Sequence, residues 1–206
     1  MYVPPAFAED RPDVLAALMA AHPLATLITS SGAGLTANLI PMIHDEGRGV
    51  LRAHLARANG QIADLRAMEA EGREALVLFQ GAQAYISPGW YATKADTGKV
   101  VPTWNYLAVQ VRGVPRVLDD AEWLRAQVGE LTDRLEAGEA APWAVTDAPE
   151  SFIASQLRGI VGLEIPVAHV LGKWKASQNR PAADREGVIA GLAERRNPMA
   201  GIVPGA

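Results

Sequence analysis

The sequence has no cysteine, which removes disulfides, cysteine-ligated zinc and thiol catalysis from consideration and fits a reducing compartment. It has no excess of positive charge: 19 lysines and arginines face 23 aspartates and glutamates, a formal net charge of −4. A nucleic-acid-binding domain normally carries a basic surface, so only a local basic patch is left for such a role. No window approaches the roughly 20 apolar residues of a membrane span, and Met1-Tyr-Val-Pro-Pro5 lacks the charged and apolar regions of a leader. The expectation is a cytoplasmic protein with no membrane partner. The P-loop, the nucleophile elbow, the dinucleotide fingerprint, a recognisable helix-turn-helix and internal repeats are all missing. Aromatic residues are few, at 6%, and their placement is therefore informative.

Six of the twelve aromatics lie between Phe79 and Tyr106, in the blocks Ala84-Tyr-Ile-Ser-Pro-Gly-Trp-Tyr91 and Val101-Pro-Thr-Trp-Asn-Tyr106. Trp90, Tyr91, Trp104 and Tyr106 interleave with Ser87, Thr103 and Asn105, a mixture suited to holding a flat ring with polar edges. If the second block is extended, Trp104, Tyr106, Ala108 and Gln110 share one face, and Asn105, Leu107 and Val109 share the other, core-like face. The first face reads as a ring platform, a subunit interface or ordinary barrel packing.

The 206 residues suit one domain, read as 1–196, with a loose tail over 197–206 rich in proline and glycine. Pro12 and the spacing of Val14, Leu15, Leu18 and Met19 predict a helix ending at His22-Pro23. Strands are predicted over 24–29 and 35–42, with a hairpin between them, and over 49–54, 76–79, 84–86 and 101–117. In the second strand Leu35, Ala37 and Leu39 alternate with Thr36, Asn38 and Ile40, so two polar side chains share a face that reads as ligand-binding or wet. Helical spacing follows Asn59-Gly60, and a capping box runs from Asp119 to Glu122. A strand over 161–167 and a helix over 184–194 complete the chain. Short links between most strands point to an α+β fold with a small antiparallel barrel rather than a doubly wound parallel sheet.

Two further blocks carry chemistry. His54-Leu-Ala-Arg-Ala-Asn-Gly-Gln61 turns a strand into a helix, where free N–H groups, the helix dipole and Arg57 suit a phosphate; the plain alternative is a capped turn. Lys173-Trp-Lys-Ala-Ser-Gln-Asn-Arg180 sets three cations around one tryptophan, either as an anion clamp or as a charged strand edge that discourages aggregation. His44-Asp-Glu46 lacks a third partner for a metal, and Ser87 and Ser177 have no visible base.

Taken together, Met1-Tyr-Val-Pro4, Ala84-Tyr-Ile-Ser-Pro88, Val101-Pro-Thr-Trp-Asn-Tyr106 and Ser177-Gln-Asn-Arg180 resemble the PaiB family of FMN-binding negative transcriptional regulators over nearly the whole chain. The resemblance implies a Greek-key split β-barrel with flanking helices, working as a homodimer with flavin sites at the interface. It implies FMN against Thr36, Ala37 and Asn38, with the phosphate near Arg57, Asn59 and Gln61. Trp104, Tyr106, Lys173 and Lys175 would approach from the partner subunit or brace the interface. Related flavin oxidases use Ser-x-Lys for the phosphate where this chain has Asn59-Gly-Gln61, and Gly60 and Ala82 stand where proline is expected. The implied function is negative regulation rather than catalysis, with DNA as a partner by resemblance alone and Arg180, Arg185, Arg195 and Arg196 as the local patch. The alternative is an FMN-dependent oxidoreductase using a reduced nicotinamide cofactor.

Overall fold

The computed structural model describes residues 1–205. Among the described residues six α-helices and nine strands make an α+β protein: β1 (Ala8–Glu9), α1 (Pro12–Ala21), β2 (Leu24–Ser31), β3 (Gly34–Asp45), β4 (Val50–Ala56), α2 (Gln61–Glu71), β5 (Ala75–Ile86) and α3 (Thr93–Thr97). These are followed by β6 (Thr103–Gly113), β7 (Arg116–Leu118), α4 (Ala121–Glu136), α5 (Glu150–Arg158), β8 (Ile160–Pro166), β9 (His169–Lys175) and α6 (Ala182–Glu194). The residues gather into two compact units, one from Met1–Ala21, Gln80–Gln110 and Leu171 onward, the other from His22–Phe79 and Val111–Val170.

The second unit is built on antiparallel strands in the order β5-β2-β3-β4-β8-β7. Its β2–β3 hairpin turns at Gly32-Ala33, and the register Thr26↔Leu39, Ile28↔Ala37 and Ser30↔Leu35 places these side chains on one face. Ala25 and Leu27 point the other way and are fully buried, as is Val77 opposite Leu27 on β5. β4 is covered on both sides. Leu51, Ala53 and Leu55 are buried on one face, while Arg52 and His54 lie on the other, where Gln127 and Glu130 of α4 receive them. Arg52 pairs with Glu130 and, at 3.2 Å, with Asp45, and His54 Nδ1 lies 2.8 Å from Gln127 Oε1. Burying the Arg52 guanidinium is tolerable because Asp45 and Glu130 bring the opposite charge to it.

In the first unit the strand order is β1-β9-β6-β5, with Ala8 opposite Lys173. β6 alternates as its sequence requires, with Asn105, Leu107 and Val109 buried and Trp104 53% exposed. Gly172 has no room for a side chain, since a Cβ would sit 2.3 Å from Leu15 and 2.4 Å from the Glu9 carbonyl oxygen.

Several boundaries differ from the sequence reading. The expected strands 76–79 and 84–86 are one strand, because nothing in Gln80-Gly-Ala-Gln83 forbids extended backbone. The 101–117 segment is broken at Val114-Pro115 into β6 and β7, since proline donates no ladder hydrogen bond. Asp120, not Asp119, caps α4, accepting from the N–H groups of Glu122 and Trp123 at 2.9 and 3.0 Å. α5 is an additional helix, its inward face marked by Ile153 and Leu157. The segment read as a loose tail is packed: Met199 is fully buried and Arg185 donates to the carbonyls of Pro204 and Gly205. Residue 206 of that tail lies outside the described residues.

Candidate functional site

The start of α2 is organised by two amides. Asn59 Oδ1 accepts the Gln61 N–H at 3.0 Å, serving the capping role although Gly60 occupies the flanking position. The Gln61 side chain turns into the protein and is 2% exposed. Its Nε2 donates to the Leu27 carbonyl and to Thr29 Oγ1 at 3.1 and 3.2 Å, and its Oε1 accepts from Asn38 Nδ2 at 2.9 Å. Thr36 and Asn38 therefore sit on the half-buried face of β3, beside the N-terminus of α2. Ala37 faces outward between Leu35 and Leu39, which are 79% and 61% exposed.

Arg57 leaves the same turn on the opposite side. Its Nε and Nη2 donate to the carbonyls of Arg158 and Ile160, both at 3.0 Å, and its Nη1 lies 2.6 Å from Asp119 Oδ1. Asp119 also receives Arg66 at 2.7 Å. The structure thus joins Asn38, Asn59 and Gln61 but sends the Arg57 guanidinium to β8 and the start of α4. Spacing along the chain suggested one cluster, because only the register of β4 against β8, with Ala56 opposite Ile160, shows which way Arg57 turns.

In the first unit, β6 and β9 bring the aromatic block and the lysine block together. Asn105 Nδ2 donates to Ser177 Oγ at 2.8 Å, both residues buried, and Lys175 Nζ donates to Thr103 Oγ1. Lys173 Nζ donates to the Tyr2 carbonyl at 3.0 Å and stands 5.1 Å from the Tyr106 ring centre. Tyr85, 41% exposed, meets Trp104 edge-to-face at 6.1 Å. Burial, reinforced by the charges of Lys173 and Arg180, pushes the Lys175 ammonium below its ordinary value. Among the described residues of this unit no carboxylate pairs with Lys173, Lys175 or Arg180. Tyr85 belongs to this group although it was not named as a site residue from the sequence, and Arg180 joins it as the third cation of the expected anion clamp; both stand within the quoted motifs.

Trp90 and Tyr91 do not form a ring platform with Trp104 and Tyr106. A Cβ on Gly191 of α6 would fall 2.3 Å from the Trp90 ring, and one on Gly187 would fall 1.9 Å from the Trp90 carbonyl oxygen. Arg195 covers the Trp90 ring at 4.6 Å, and Arg180 stands over Tyr91 at the same distance. Tyr91 is buried, which raises its phenol pKa. The arginine patch suggested for DNA is largely spent in the same way. Arg185 donates to the carbonyls of Arg180, Pro204 and Gly205, so of the four arginines only Arg196 shows no such internal contact among the described residues.

The chain matches, over residues 1–169, the model of a family described as "Putative FMN-binding domain". An uncharacterised protein of Emericella nidulans is 35% identical over 226 residues, covering 93% of this chain and 90% of that one. The protease synthase and sporulation protein PAI 2 of Bacillus subtilis is 29% identical, covering 97% of this chain and 93% of its own. Among solved structures, the FAD and heme binding protein from Mycobacterium smegmatis matches with a TM-score of 0.60 at 18% identity, over 82% of this chain and 73% of that one. That likeness is one of fold, and the α+β split-barrel class expected from the sequence is the class this protein has.

Proposed function

The chain belongs to the FMN-binding family whose model spans its residues 1–169, and on that premise we propose that it is a homodimeric FMN-binding regulator of the PaiB type. The cofactor is FMN, the ligand the family is described by. The observation that carries the reading is the cation group of Lys173, Lys175 and Arg180. Lys173 is 8% exposed, and Lys175 is held below its ordinary pKa, yet the unit supplies no carboxylate to either among the described residues. Half-buried cations without an acidic partner are costly unless an anion completes them, and a flavin nucleotide is anionic.

In this proposal Thr36, Ala37 and Asn38 line the flavin, and Asn59 with the main-chain start of α2 receives the phosphate. Gln61 serves by aiming Asn38 and fixing the helix start, since its own amide is saturated. Arg57 braces the turn from the other side and adds positive charge to it. Trp104 and Tyr106 wall the ring, and Lys173 and Lys175 face its polar edge, where negative charge develops on reduction, from the partner subunit. When bound, FMN supplies a ring able to accept and return electrons.

The dimer reading rests on the outward face of the β2–β3 hairpin. Leu24, Leu35 and Leu39 are 56%, 79% and 61% exposed there, with Ile28 and Ala37 between them. An apolar sheet face of this kind is normally covered by another surface. The regulatory role is supported by the near-full-length match to the Bacillus subtilis sporulation protein. Of the arginines in the suggested patch, Arg180, Arg185 and Arg195 also make internal contacts.

FMN titration followed by flavin fluorescence tests the assignment. Saturable quenching by the wild-type protein, weakened at least about tenfold in a Lys173→Met, Lys175→Met double variant that keeps its fold, is the expected result. Equal affinity in the two proteins would remove the lysines from the site.

A further inference from the structure

Beside the start of α4, a cleft of about 410 Å³ opens between α4, α5 and the Arg57 side of the β4–α2 turn. Leu124 and Leu157 are buried and Ala154 is half-buried, and all three line it, while Arg57, Arg125 and Arg158 also border it. A volume between about 300 and 1,000 Å³, an apolar lining and a few polar groups at the edge are the ordinary features of a small-molecule site. Of the residues lining it, Arg57 alone also enters the flavin reading, as a brace of the turn.

We propose that the cleft is a second ligand site, for a small monocarboxylate with an apolar body. The charges at its edge set the sign. Asp119 is already shared by Arg57 and Arg66 at 2.6 and 2.7 Å, and Glu150 takes both terminal nitrogens of Arg125 at 2.8 and 2.6 Å. Glu122 lies in the first turn of α4, where the positive end of the helix compensates it. Arg158 pairs with no carboxylate among the described residues of this unit, so a guanidinium is the group left for a ligand. The Arg57–Asp119 and Arg125–Glu150 pairs are 39–72% exposed, and such pairs contribute little to stability, so they can rearrange around an incoming carboxylate. Bidentate contact between guanidinium and carboxylate then fixes the head group, and the leucines take the apolar body.

Octanoate is a suitable probe and octan-1-ol its uncharged counterpart, each titrated calorimetrically into the full chain. Octanoate is expected to bind saturably, the alcohol at least about tenfold more weakly, and Arg158→Ala is expected to lower octanoate affinity by a similar factor. Ala154→Phe, which fills the cleft from the α5 side, is expected to abolish binding. Arg158 is exposed, so its variant keeps the fold and carries the test even if Ala154→Phe does not. No saturable heat at millimolar octanoate, equal binding of the alcohol, or unchanged affinity in Arg158→Ala overturns the proposal. FMN affinity measured on Arg158→Ala should equal that of the wild type, which separates this site from the flavin reading.

Discussion

Asn105 Nδ2 donates to Ser177 Oγ across 2.8 Å inside the first unit, joining the Val101-Pro-Thr-Trp-Asn-Tyr106 block to the Ser177-Gln-Asn-Arg180 block. Ser177 holds a left-handed backbone, φ 59°, unusual for a residue with a side chain, and its hydroxyl is buried. Asn105→Ala should leave that hydroxyl unpaired and cost about 1–3 kcal/mol. The melting temperature should fall by roughly 2–4 °C for each kcal/mol, read by calorimetry, and an unchanged value would mean the bond does not secure β6 to the turn after β9.

Gln61 is expected to matter to the fold before it matters to any ligand. Gln61→Ala takes a partner from the Leu27 carbonyl, from half-buried Asn38 Nδ2 and from Thr29 Oγ1, which keeps its bond to Asp64, for a loss of about 1–3 kcal/mol in denaturant unfolding. Arg57→Ala, whose partners are more exposed, should lose less. The reverse order would contradict the arrangement of the turn.

Two glycines in helices should respond with opposite signs to alanine. At Gly191 the new methyl meets the Trp90 ring at 2.3 Å, and a loss of about 1–3 kcal/mol follows from overpacking. At Gly129 of α4 nothing lies within 4 Å, so the same change should stabilise by about 0.5–1 kcal/mol through helix propensity. Thermal unfolding of both variants checks the contrast.

The sign of the pH dependence follows from Lys175. Its folded pKa is lowered from 10.5 by burial and by neighbouring cations, so the folded chain releases this proton before the unfolded chain does. Between the lowered value and 10.5, stability gains from this group as pH rises; below the lowered value the full cost of a charged, half-buried lysine is present. An anion beside it works the other way, so FMN affinity should fall as pH rises through the lowered pKa. Lys175→Met should flatten that part of the affinity profile, and a wild-type profile flat over the same range would separate Lys175 from the cofactor.

Leu35→Glu should disrupt the proposed dimer. It places a charge on the outward hairpin face at a residue 79% exposed in the single chain, where folding loses little but an apolar interface loses its packing. Light scattering should show a dimer for the wild type and a monomer for the variant at the same melting temperature. A wild-type monomer would remove the interface.

Period-two patterning was enough to separate the faces of β3 and of β6, because alternation on a half-buried strand is local physics. It showed Thr36 and Asn38 together, and Asn105, Leu107 and Val109 together, without any knowledge of their neighbours. What it could not show were the long-range choices. Asp119 and Asp120 are chemically equal as caps, and Arg57 with Arg66 decides between them by claiming Asp119. Trp90 and Tyr91 resembled ring-holding residues until α6, far along the chain, placed Gly187 and Gly191 against Trp90 and the preceding turn placed Arg180 over Tyr91. The proline and glycine of the last ten residues suggested looseness, yet Met199 is fully buried and Arg185 ties down two of the final carbonyls. Arg57 and Gln61, four residues apart, belonged together in sequence and face opposite sides of their turn in space.

The central claim is that the chain binds FMN as a dimer. The visible absorption spectrum of the purified protein, taken before and after adding FMN and gel filtration with light scattering, tests it most directly. Flavin bands that co-elute with a dimer at one FMN per chain are the expected result; a colourless protein that stays colourless after FMN is added would contradict FMN binding.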